Sequence, residues 1–178
     1  GGKQQYSMLY YQYISEDPNF GMFYAKVGKG TKNSDTYLLD SKWSDYVINT
    51  YEGNDVVTVG SGGHRVFVNL GAGDDTFNGG DGNDFLNGGA GEDLVDGGNG
   101  NDLLIGGTDA DVLTGLIGVD TFRYATFTDS LLGAFDKITD FVIGTDILDG
   151  PTAVSSANTK ELGVVASLNQ AGISELIT

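Results

Sequence analysis

Six aspartates stand nine residues apart along one stretch of this 178-residue chain: Asp75, Asp84, Asp93, Asp102, Asp111 and Asp120. Carboxylates repeated at a fixed spacing are a row of hard oxygen donors, the ligand type of a hard divalent cation. Other chemistries lack their parts. The chain has one histidine, His64, and no cysteine, which removes a His-rich metal site, a relay of two imidazoles, thiol catalysis, Cys-type zinc and disulfides. Neither an HExxH zinc motif nor a GxSxG nucleophile elbow occurs. Carboxylate pairs suited to acid–base work are plentiful, but cation ligation accounts for them. No catalytic residue and no organic cofactor site is assigned, and the chain reads as a non-enzyme.

The elements that must hold these aspartates follow from the nine-residue period. The units are LGAGDDTFN (70–78), GGDGNDFLN (79–87), GGAGEDLVD (88–96), GGNGNDLLI (97–105), GGTDADVLT (106–114) and GLIGVDTFR (115–123). Position 6 is Asp in all six; position 8 is always large and apolar: Phe77, Leu86, Val95, Leu104, Leu113 and Phe122. Positions 1, 2 and 4 are Gly in five of six units each. Glycine there lets the backbone take φ > 0 turns. Residues 7 to 9 then make a short strand with the side chain of position 8 inward. Two units complete a coil, so alternate repeats stack at about 4.8 Å. The aspartates fall into two columns, Asp75, Asp93 and Asp111 on one edge, Asp84, Asp102 and Asp120 on the other.

Each repeat gains roughly 1.5–3 kcal/mol from its one buried apolar side chain. Two carboxylates about 5 Å apart lose about 3 kcal/mol at an effective dielectric of about 20. The columns therefore call for cations. Calcium, with six to eight oxygen ligands, suits two carboxylates plus turn carbonyls better than Mg²⁺, which wants tight octahedral geometry. Pairs 75/93, 93/111, 84/102 and 102/120 imply about four ions, with one or two more beyond the regular units. The last two units depart from the pattern, with Asp109 at position 4 of one and Leu116-Ile117 in the other.

These repeats resemble the RTX (haemolysin-type) calcium-binding family. The resemblance implies a parallel β-roll in a secreted or cell-surface bacterial protein, disordered and exportable by a type I channel at low intracellular calcium and rolled up outside. The expected class is all-β: an N-terminal β cap or upstream-domain remnant (1–49), the roll (50–123) and a C-terminal capping region with short helices (124–178).

The flanks are less regular. TYEGNDVVT (50–58) places Asp55 in the pattern, where it is expected to pair with Asp75; VGSGGHRVF (59–67) puts His64 where an aspartate belongs, and Val68-Asn69 break the period. His64 reads as a repeat position that has lost its ion. Tyr6–Ile14 and Gly21–Val27 have β composition around a turn-like SEDPN, which predicts a hairpin, and Asp35–Asp40 predicts another strand. Tyr10, Tyr11, Tyr13 and Trp43 form a candidate aromatic platform for cell-surface polysaccharide. Downstream, FDKITDFVIGTDILDGP (135–151) is similar to segments that close RTX rolls; Ile138, Phe141, Ile143, Ile147 and Leu148 would cover the last coil, and Asp136 or Asp140 could bind a further ion. In the tail, Asn158 with Glu161 makes a capping box, and Leu162, Val165 and Leu168 share a helical face. The region from about 122 to the end resembles the bluetail domain of cyanobacterial surface proteins, which would suit an export address.

With 25 acidic against 9 basic residues and a net charge of −16, nucleic acid is excluded as a partner, since affinity for phosphate comes from Lys and Arg. No apolar run approaches the roughly 18 residues of a membrane span. The chain begins at Gly1 without a basic-then-apolar leader, and reads as a fragment or processed product. Two other readings stay open: a filament or surface-layer subunit that binds copies of itself, and the C-terminal module of a secreted hydrolase whose catalytic domain lies elsewhere.

Overall fold

The structure, a computed structural model, describes residues 10–17, 21–39, 45–126, 129–130 and 134–150, with side chains from residue 28 onward. The described elements are strands: β1 (Tyr10–Asp17), β2 (Gly21–Lys29), β3 (Thr36–Leu39), β4 (Asp45–Asn49), β5 (Val56–Val59), β6 (Val66–Ala72) and β7 (Thr76–Asn78). There follow β8 (Phe85–Ala90), β9 (Leu94–Asp96), β10 (Leu103–Thr108), β11 (Val112–Thr114), β12 (Thr121–Arg123), β13 (Lys137–Ile138) and β14 (Ile147–Asp149). The helix expected around 158–168 lies outside the described residues, as do Trp43 and the side chains of Tyr10, Tyr11 and Tyr13.

The chain winds as a β-roll with two sheets facing each other. One has the order β1-β2-β4-β6-β8-β10-β12-β14, the other β13-β11-β9-β7-β5-β3. Every pairing is parallel except the β1–β2 hairpin. That hairpin is the one predicted, although β1 continues through the start of SEDPN to Asp17 by a register shift between Tyr13 and Glu16. The strand predicted at 35–40 is β3.

Coil length changes along the roll. Tyr46 pairs with Val66 and Thr36 with Val56, a 20-residue coil. Phe85 pairs with Leu103 and Leu94 with Val112, the expected 18. Beyond the repeats, Val112 pairs with Lys137 and Thr121 with Ile147, so 25- and 26-residue coils rejoin the same ladders. The nonapeptide strands are also unequal: β7, β9, β11 and β12 have three residues, whereas β8 and β10 have six and run on into the glycines of the next unit.

The core is a pair of stacked side-chain columns. All six position-8 residues are buried in it, none more than 1% exposed. The upstream strands add Tyr37, Leu39, Tyr46, Ile48, Val57, Val59, Val66, Val68 and Leu70.

Two expectations are corrected. The two extra residues of the upstream coil precede Val66 instead of sitting at Val68-Asn69, because those two pair in register with Leu86 and Asn87. Asp84 consequently stacks on Val66, and His64 falls in the row of turn glycines, its carbonyl against Gly82. The closing segment covers the last coil only in part: Ile138 and Phe141 pack on the core, with Phe141 at 5.9 Å from Phe122, while Ile143, Ile147 and Leu148 are exposed.

Candidate metal centre

A parallel coil of constant length puts equivalent residues in line, so position 6 becomes a column by geometry alone. The amide N–H of each aspartate donates to one carboxylate oxygen, Oδ1, of the aspartate in the next coil. On the first edge the chain of bonds runs Asp35 to Asp55 (2.6 Å), Asp55 to Asp75 (2.7 Å), Asp75 to Asp93 (2.9 Å), Asp93 to Asp111 (2.9 Å) and Asp111 to Asp136 (3.1 Å). On the second edge it runs Val66 to Asp84 (2.8 Å), Asp84 to Asp102 (2.8 Å), Asp102 to Asp120 (2.9 Å) and Asp120 to Asp146 (3.1 Å). All six predicted residues thus stand in the two predicted columns.

The second oxygen decides what the columns can do. Oδ2 of Asp55, Asp75, Asp84, Asp93, Asp102, Asp111 and Asp136 is sealed from solvent and accepts no hydrogen bond. A buried carboxylate oxygen without a donor costs several kcal/mol, and such groups are ordinarily satisfied. Burial is the main cause that raises these acids, with backbone N–H donors opposing it and neighbouring carboxylates adding to it. Asp93 is pushed up to about 8, Asp84 and Asp111 to about 7, and Asp75 and Asp102 to about 6. Asp55, Asp120 and Asp136 rise for the same leading reason. The columns ask for either protons or cations.

The glycines supply the room. A Cβ on Gly88, Gly97, Gly106 or Gly115 would collide with Oδ2 of the aspartate five residues on, in turn Asp93, Asp102, Asp111 and Asp120. Position 1 is therefore glycine for space beside the carboxylate; none of these four adopts a positive φ. The turn-forming role expected of all three glycine positions belongs to positions 2 and 4, as at Gly98 (φ 97°) and Gly100 (φ 143°). Asp109 (φ 82°) and Leu116 (φ 66°) take that left-handed backbone without being glycine. The oxygens left over, carboxylate and turn carbonyl with no nitrogen or sulfur, are the donor set of a hard cation such as Ca²⁺. Among the described residues, no three Asp, Glu, His or Cys side chains gather to hold a metal, so any site draws on stacked pairs plus backbone oxygen.

Sequence reasoning missed three participants. Asp146 takes the second column's last place, but its Oδ2 also accepts the Val142 N–H (2.7 Å). Asp140 stands outside the columns and accepts from Gly115 and Leu116 N–H instead. Position 5 forms a second ladder: Asn83 accepts from Asn101 N–H and Asn101 from Val119 N–H. The polar residues at position 5 were the available signal for it.

Against known families, the RTX calcium-binding nonapeptide repeat (four copies) matches residues 69–104 and 96–131. The match supports the RTX resemblance for the repeats, a structural calcium-binding fold. It ends at residue 131, before most of the region likened to the bluetail domain. No curated protein and no solved structure matches the chain.

Proposed function

We propose that the chain is a non-catalytic calcium-binding module of a secreted or cell-surface protein, and that calcium is what rolls its repeats up after export. The observation that carries this is the file of buried, partnerless Oδ2 atoms beside glycines that leave space for an ion. Asp75, Asp84, Asp93, Asp102, Asp111 and Asp120 are the proposed ligands, each paired with its column neighbour and assisted by turn carbonyls. Four ions fill the pairs among these six. Inside a cell, at low calcium, repulsion along the columns keeps the repeats open; outside, each ion neutralises two carboxylates and ties two coils together.

Far-UV circular dichroism tests the reading. The expected result is loss of most β signal in EDTA and its return at millimolar Ca²⁺. Equal β content in both conditions would remove calcium as the folding switch. Hydrolysis of casein, esters or polysaccharide by the purified chain would overturn the non-catalytic assignment.

A further inference from the structure

The two ends of the roll are not alike. At the N-terminal end the outermost inward residues of β3, Tyr37 and Leu39, are buried. At the C-terminal end the core column continues from Phe122 to its partner Leu148, which is 54% exposed. Beside it lies a second apolar group on the last turns: Leu116 at 53%, Ile117 at 71%, Val142 at 51% and Ile143 at 62% exposure. The two turns are tied together, since Asp140 accepts from Leu116 N–H and Asp146 accepts from both Asp120 and Val142 N–H. Earlier units carry Gly98-Asn99 and Gly80-Asp81 at the positions of Leu116-Ile117. A leucine held at φ 66° where glycine would be unstrained, with its side chain in the open, is an expensive way to make a turn. Contiguous exposed apolar surface of this kind marks a docking site.

We infer that this end of the roll is the docking surface for the chain's own residues 151–178. The chain leaves β14 at Asp149 on the same terminal coil, so the segment starts beside the surface it would cover. It carries Leu162, Val165 and Leu168 at helical spacing, followed by Ile173, Leu176 and Ile177. A short tether gives it an effective concentration of about millimolar, which favours it over a second copy. The acids bordering the patch do not repel it: both oxygens of Asp140 and of Asp146 are taken up by backbone N–H groups. This inference is independent of how many ions the columns hold.

The experiment uses the full chain loaded with calcium. Because the chain has no native cysteine, Ile143→Cys can carry a single benzophenone label at an exposed position. After irradiation, cross-links are expected on residues 151–178 in a species of monomer mass. Adding Leu168→Asp should lower the yield at least fivefold and speed amide exchange at 116–119 at least threefold, with the calcium-dependent β signal unchanged. Cross-links between two chains, cross-links elsewhere, no cross-link, or a yield indifferent to Leu168→Asp would each overturn the assignment.

Discussion

The 20-residue coils upstream and the 18-residue nonapeptide coils solve one electrostatic problem in different ways. Upstream, strands bury two or three apolar side chains each, such as Tyr46 and Ile48 in β4 or Val66, Val68 and Leu70 in β6. The aspartate there that faces a neighbouring coil, Asp45, meets Arg65, whose Nη2 lies at 2.7 Å and Nε at 3.2 Å, while Arg65 N–H donates to Oδ1. The Thr50 hydroxyl, fully buried, donates to the Leu70 carbonyl of the next coil. In the repeats each three-residue strand buries one apolar side chain, and the carboxylates face only each other and backbone N–H. The upstream coils bring their own cation as a side chain; the repeats leave the place for one from outside.

The largest expected effect separates the two regions by metal removal. In EDTA, amides of β9 and β10 should exchange at close to unfolded rates, whereas those of β4, β5 and β6 should stay at least tenfold slower by hydrogen-exchange mass spectrometry. Uniform loss of protection would show that the upstream coils do not stand without the repeats.

Next comes the position of an aspartate within its column. Asp93 and Asp102 each serve two pairs and Asp120 lies near its column's end. Replacing Asp93 or Asp102 by Ala should raise the calcium midpoint of folding about tenfold, about 1.4 kcal/mol, and Asp120→Ala by less. Equal shifts at all three positions would break the paired arrangement.

Protons should partly replace calcium, and only in the repeats. Asp93, raised to about 8, and Asp84 and Asp111, raised to about 7, bind protons in the folded coil that the unfolded chain, at 3.8, has released. Stability of the metal-free coil is therefore full near pH 4 and lost as pH rises through 6 to 8. Circular dichroism in EDTA should show more β-structure at pH 5 than at pH 8. In calcium the sign reverses, since protons compete with the ion, and the calcium midpoint should rise as pH falls from 8 to 6.

The smallest effect is upstream. Arg65→Gln leaves Asp45 half-buried without its guanidinium and should cost about 1 kcal/mol, read as a lower thermal midpoint of the protection at β4–β6. The calcium midpoint of the repeats should not move. A shift there would mean that the two regions share their counter-charge.

Much of the candidate site was legible because its logic is periodic. Aspartate at position 6 and an apolar residue at position 8 specify columns as soon as one coil is known to take 18 residues. What the period could not show lies where coil length changes. Val66, not His64, underlies Asp84, since the extra residues are absorbed in the preceding turn. Asp136 and Asp146 rejoin the columns across 25 and 26 residues, and no spacing rule connects them to Asp111 and Asp120.

Composition and periodicity alone determined that this chain forms a roll with rows of carboxylates, because a strict repeat confers the same local conformation on each unit and translation does the rest. Tertiary packing alone decided which carboxylate oxygens lose their water, why position 1 must lack a Cβ, and which end of the core stays open. Those depend on distances between residues 18 to 26 apart, which exist only once one coil has been laid against the next.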